Sequence, residues 1–152
     1  MSKSDSSIRA EGAEVFVRSV LMLEYGVITS LASRNMPDYD VIAHNLRKRI
    51  DCKISVKYRM ASNSDGFRFK RVRDFDFFVG VLGRRGKIGD SHSRSMQSTE
   101  MLAECYILTR REVATNVRRS SGYLLLPRNK KVLTSKRKNA WARILRYLKV
   151  TK

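Results

Sequence analysis

Asp40, Ser55 and Lys57 lie near the ends of two strand-like runs joined by a short basic turn, and residues of these types in this order could do phosphate chemistry. The stretch reads Pro37-Asp-Tyr-Asp-Val-Ile-Ala-His44, then Asn45 and Leu46-Arg-Lys-Arg49, then Ile50-Asp-Cys-Lys-Ile-Ser-Val-Lys57. If the four residues Leu46 to Arg49 form the turn, Asn45 faces Ile50. Counting outward then places Asp40 opposite Ser55, with Lys57 two residues farther along the same face. A carboxylate there offers hard oxygen to a divalent ion such as Mg2+, which keeps several of its own waters. Such an ion acidifies a water and neutralises charge developing on phosphorus. The lysine would orient or activate the attacking water, with Ser55 and the Val56 carbonyl filling out the site.

A hairpin of this kind needs elements around it, and the sequence supplies them. From Ser7 to Glu24 the residues Ala13, Phe16, Val17, Val20, Leu21 and Leu23 recur at helical spacing, and Gly26 is a natural stop. Strands are expected at Val27 to Ser33, Asp40 to His44 and Ile50 to Tyr58. Phe75 to Leu82 is apolar almost throughout, as suits a strand buried on both faces. The stretch Gly83 to Ser98 is rich in glycine, serine and basic residues and reads as a mobile loop. A fifth strand follows at Cys105 to Leu108. Thr109 and Glu112 match a capping box for a helix running to about Arg118. Gly122 and Pro127 bracket a short apolar piece, and Ala140 to Leu148 has the spacing of a final helix with Trp141, Ile144, Leu145 and Leu148 inward. Residues 1–7 are polar and are expected to be disordered, and the whole chain of 152 residues is expected to form one domain.

This order of elements, from about Ala13 to Leu82 and more loosely after Cys105, resembles the PD-(D/E)xK nuclease superfamily, which includes small homing endonucleases and Holliday-junction resolvases. The resemblance implies an α/β, restriction-endonuclease-like fold: a mixed sheet flanked by helices. It further implies a Mg2+- or Mn2+-dependent endonuclease acting on double-stranded DNA. Read literally, Pro37-Asp38 and Asp51-Cys52-Lys53 spell the family pattern. That register would centre the turn near His44 and Asn45, consume Ile42 and Ala43, and push Arg47 to Arg49 into a strand, so Asp40, Ser55 and Lys57 fit the hairpin better. Ser55 departs from the family, which usually has an acid there. In the family a glutamate from the first helix can complete the metal shell. Glu14, at the border of the apolar face, is the candidate, while Glu24 lies near the helix end. One chain carries one such site, so cutting both strands implies a homodimer or higher homo-oligomer.

Charge points to the same class of partner. Lysine and arginine number 32 against 14 acids, a net charge of +18, which a polyanion would relieve. From Arg110 onward there are 14 basic residues and one acid, Glu112. Candidate phosphate contacts are Arg47, Lys48 and Arg49 in the turn, Arg84, Arg85 and Lys87 in the loop, and Lys136, Arg137 and Lys138 near the C-terminus. No lipidation motif or secretory signal is present, so the expected setting is intracellular and not membrane-bound. Cys52 and Cys105 read as reduced core residues, and His44 and His92 have no ligand spacing. The alternative function is a non-catalytic nucleic-acid-binding protein, such as a ribonucleoprotein component.

Overall fold

The computed structural model describes residues 3–33, 35, 38–60, 66–83, 103–127 and 133–150, and the side chains from residue 6 onward among them. Helix α1 spans Lys3–Tyr25, reaching into the segment for which the sequence predicts no order. It ends where Gly26 turns left-handed at φ +63° and the Gly26 and Val27 N–H groups bond back to Met22 and Leu21, a conformation glycine adopts without steric cost.

Five strands then build the main sheet: β1 (Ile28–Leu31), β2 (Val41–Asn45), β3 (Ile50–Met60), β5 (Phe77–Gly83) and β6 (Ala103–Thr109), in the spatial order β1-β2-β3-β5-β6. Neighbours are antiparallel except for β3 and β5, which run parallel. The sheet is therefore mixed. Every residue of β5 is buried, as its continuous apolar run requires of a central strand covered on both faces.

One face carries α1 and α3 (Ala142–Tyr147). Ala13, Val17 and Leu21 pack there with Val41, Ala43, Cys52, Ile54, Trp141, Ile144, Leu145 and Leu148. The other face carries α2 (Arg110–Asn116) and a small three-stranded sheet, β4 (Gly66–Phe69), β8 (Tyr123–Pro127) and β7 (Arg118–Ser120), in the order β4-β8-β7. The two sheets meet at aromatic contacts: Phe67 and Phe69 each lie edge-to-face on Phe78 at 5.1 Å between centroids, a favourable arrangement of ring quadrupoles. Gly80 makes room for this, because a Cβ there would lie 2.6 Å from the Phe67 ring.

Two expectations change. The helix after Thr109 stops at Asn116 and gives way to β7 rather than running to Arg118, because Arg118 to Ser120 pairs with Tyr123 to Leu125. The second sheet escapes the sequence reading, since β4 is short and its partner lies far along the chain. The expected loop lies outside the described residues, apart from Gly83 at the end of β5.

The capping box forms: the Thr109 hydroxyl accepts from the Glu112 N–H, and Glu112 accepts from the Thr109 N–H at 2.8 Å. Glu112 also holds Arg143 through two hydrogen bonds of 2.8 and 3.0 Å and Arg137 at 2.6 Å. The chain around Arg137 in turn lies along β6, with the Ile107 N–H bonded to Arg137 O and the Asn139 N–H to Cys105 O. Burial works against ionisation of Glu112, but Arg143, the Thr109 N–H and Arg137 outweigh it and bring the carboxyl down to about 2. A carboxyl held below its unfolded value contributes stability above that value, here 4.5, and loses it as pH falls toward 2. Glu112→Gln should therefore cost about 1.5–3 kcal/mol at neutral pH, the range for hydrogen bonds to charged groups. The gap from the parent should close on acidification below the ordinary carboxylate range, as followed by urea unfolding across pH.

Candidate functional site

The β2–β3 register runs Asn45 to Ile50, His44 to Asp51, Ala43 to Cys52, Ile42 to Lys53 and Val41 to Ile54. The four residues 46–49 form the turn, with the Lys48 N–H bonded to Asn45 Oδ1 at 3.2 Å. The ladder closes at Val41 and Ile54, and one residue on, the Asp40 N–H donates to Ile54 O, so the count from the turn holds through Val41, and Asp40 sits at the open end of the hairpin without a ladder pairing to Ser55.

Beyond Val41 strand β2 stops while β3 continues, and the Asp40 side chain takes up the slack. Its Oδ2 accepts the Val56 N–H at 2.7 Å and lies 3.9 Å from Lys57 Nζ. Asp40 thus acts both as an extension of the ladder and as the anion beside Lys57. Val56 meets it through its N–H. Ser55 is buried, at 1% exposure, in register with Phe78.

Glu14 comes to the same place from α1. Glu14 and Asp40 share the lining of a cleft of about 460 Å³, with Val15 and Glu11 from the helix and Leu31 to Ser33 and Tyr39 opposite. Burial chiefly, then the Asp40 carboxylate, raises the Glu14 carboxyl above the ordinary range, with Lys57 acting against the rise and Glu11 adding to it. Asp40, Glu14 and Lys57 are therefore electrostatic neighbours.

The residues of the literal motif go elsewhere. Asp38 pairs with Arg71 Nε at 2.6 Å, Asp51 with His44 Nδ1 at 2.8 Å, and Lys53 with Asp74 at 2.9 Å. Glu24 lies exposed in the last turn of α1.

His44 has more partners than the sequence suggests. Its Nε2 is 2.8 Å from Ser30 Oγ on β1, while Nδ1 meets Asp51 on β3, so one ring ties three adjacent strands. Asp51 is largely exposed, and the chain reads as a cross-strand tie. Cys52 and Cys105 are buried free thiols. Burial pushes Cys105 up to about 12 and raises Cys52 further with help from Asp76, so both stay protonated and unreactive.

The basic candidates divide. Arg47, Lys48 and Arg49 are exposed on the turn, and Arg47 and Lys48 line a groove of about 580 Å³ with Lys149. Lys136 is exposed, whereas Arg137 is held by Glu112 and Lys138 by Glu104 at 2.8 Å. Arg84, Arg85 and Lys87 lie outside the described residues. A further basic cleft, of about 600 Å³, brings Arg73, Arg110 and Arg111 together around Asp74. Sequence pattern does not announce it, because its residues come from separate segments that meet only when α2 docks.

Among the described residues no three histidine, cysteine or acidic side chains cluster as a metal cage, and no helix is long and apolar enough to cross a membrane. Two carboxylates are nonetheless enough for Mg2+, which is commonly held by one or two of them and its own waters. The mutual repulsion of Asp40 and Glu14 is the kind of strain a cation would relieve.

The fold has a counterpart among solved structures. The chain is similar in fold to a bacterial homing endonuclease. That protein, I-Ssp6803I, superposes with a TM-score of 0.54 at 17% sequence identity, and the match covers 96% of this chain and 95% of the other. The two share a mixed α/β fold over nearly their whole lengths. No protein-family model and no curated protein matches the chain.

An acid whose folded pKa lies above its unfolded value destabilises the fold where it is ionised, and lowering pH through the raised value removes that cost. Without metal, Glu14→Gln should therefore raise the melting temperature at neutral pH, and the difference from the parent should vanish on mild acidification. Differential scanning fluorimetry across pH reads both.

Proposed function

We propose that this chain is a divalent-metal-dependent DNA endonuclease of the PD-(D/E)xK kind, hydrolysing phosphodiester bonds in a duplex. The observation that carries the proposal is that Asp40 and Glu14 line one cleft, with Lys57 Nζ 3.9 Å from the Asp40 carboxylate, on a fold shared with a homing endonuclease.

Asp40 and Glu14 are the residues that would hold Mg2+ or Mn2+. The bound ion would supply an acidified water and positive charge against the developing phosphorane. The chain's own groups prepare the rest. The Val56 N–H fixes one Asp40 oxygen, so the other is the one free to turn toward a ligand. The Val56 carbonyl sits at the same step of the strand and can add a neutral oxygen. Lys57 Nζ, held near the Asp40 carboxylate, is placed to orient a water toward phosphorus and to balance the phosphate charge. Ser55 supports the strand between them, and its burial means that a larger acidic side chain would have to enter the core.

Binding would rest on the exposed basic residues of the hairpin turn, Lys136, and the Arg73, Arg110 and Arg111 cleft. Phosphate contacts of this kind position a duplex without reading its sequence.

With Mg2+ or Mn2+ the purified protein is expected to nick or cut a duplex from a broad substrate panel. Lys57→Ala and Asp40→Asn should each lower the rate by orders of magnitude while changing the salt dependence of binding by about one unit of slope at most. Asp38→Asn and Asp51→Asn should keep cutting, because their carboxylates are engaged with Arg71 and His44. Ser55→Glu should lower stability, since it buries a carboxylate. A parent protein that binds duplex but cuts nothing with either metal across the panel would leave a binding protein instead.

A further inference from the structure

Helix α1 has a second apolar face. Its Ala13, Val17 and Leu21 side turns to the sheet, yet Ile8, Val15 and Met22 stand 66%, 50% and 47% exposed. These three are seven residues apart, so they form one stripe on the side of the helix away from the core, about 20 Å long. Beside the stripe, Gly12 has open space where a Cβ would be, which allows another helix to approach closely. Leu31, half exposed on β1, extends the patch from Val15 across the cleft, and among the described residues β1 pairs with β2 alone.

We propose that this stripe binds α1 of a second copy of the chain in an antiparallel pair whose two-fold axis passes beside Val15. This rests on the endonuclease reading for its purpose, since two strands of a duplex require two sites. The spacing is self-complementary under that operation: Ile8 faces the partner's Met22, Val15 faces the partner's Val15, and Met22 faces the partner's Ile8. Charge is complementary as well, because Glu11 falls one step from the partner's Arg18, and the reciprocal pair forms by symmetry. Such a closed, isologous contact uses one patch on both copies. A parallel pair would carry this flank to opposite sides of the seam and form no such Glu11–Arg18 contact. Glu11 and Val15 also line the Asp40 and Glu14 cleft, so the pairing brings the partner's Arg18 to the mouth of each site.

Analytical ultracentrifugation of the full chain is expected to show a concentration-dependent dimer, and Met22→Asp should abolish it at concentrations where the parent is dimeric, with circular dichroism unchanged. Cysteine cross-linking fixes the geometry. Val15→Cys should form a disulfide dimer on mild oxidation. Ile8→Cys mixed with Met22→Cys should yield a heterodimeric cross-link, whereas each alone, and Leu23→Cys off the stripe, should not. A monomeric parent, or Ile8→Cys cross-linking to itself, would overturn the proposal. The fate of the endonuclease reading is separate: a dimeric parent that cuts nothing would remove that reading and leave the interface, while Met22→Asp is expected to keep single-strand nicking and lose paired cuts.

Discussion

Asn45 can face Ile50 only if the four residues between them close the hairpin, and much of the arrangement around the candidate site follows from that closure. Because side chains alternate along a strand, a slip of one residue would exchange the core and outer faces of both strands. Ala43, Val41, Cys52 and Ile54 would leave the packing under α1, and Asp40 would lose its bonds to Ile54 and Val56 at the open end of the hairpin. The apolar face holds the register, and the register holds the site. The His44 tie to Ser30 and Asp51 acts in the same direction from the outer side.

A second point of leverage is Glu112. It begins as a local helix cap and ends as the anchor for Arg137 and Arg143, which come from the far end of the chain. The C-terminal segment therefore reaches its position partly through charge. The same interactions redistribute the basic surface: the region richest in lysine and arginine spends several of them on internal acids, and the cations left outward include the hairpin turn and the cleft beside α2.

How far the sequence could be read follows from the range of the interactions. The β2–β3 register was legible as far as Val41 because a four-residue turn fixes a count over neighbouring residues, whereas the Asp40 bond to Ile54 at the open end was not. The Thr109 and Glu112 cap was legible for the same reason, and β5 because burial on both faces leaves an unbroken apolar run. Glu14 required the family resemblance to be singled out, since a helix-surface acid carries no mark of what lies across from it. The β4-β8-β7 sheet, the Ser30–His44–Asp51 chain and the Arg73, Arg110 and Arg111 cluster join residues distant in sequence. Nothing in their local patterns announces their partners.

The length of the β2–β3 hairpin also sets a spacing. Its tip carries Arg47, Lys48 and Arg49, and its open end carries Asp40 and Lys57, with Val41 to Asn45 between them. Five residues of extended strand measure about 17 Å, and successive phosphates along one strand of a duplex advance about 3.4 Å along the axis. A duplex lying along the hairpin would thus meet the cationic tip about five base pairs from the carboxylates, nearly half a helical turn away. The hairpin would then act as a ruler, coupling where the backbone is gripped to where it is presented for attack.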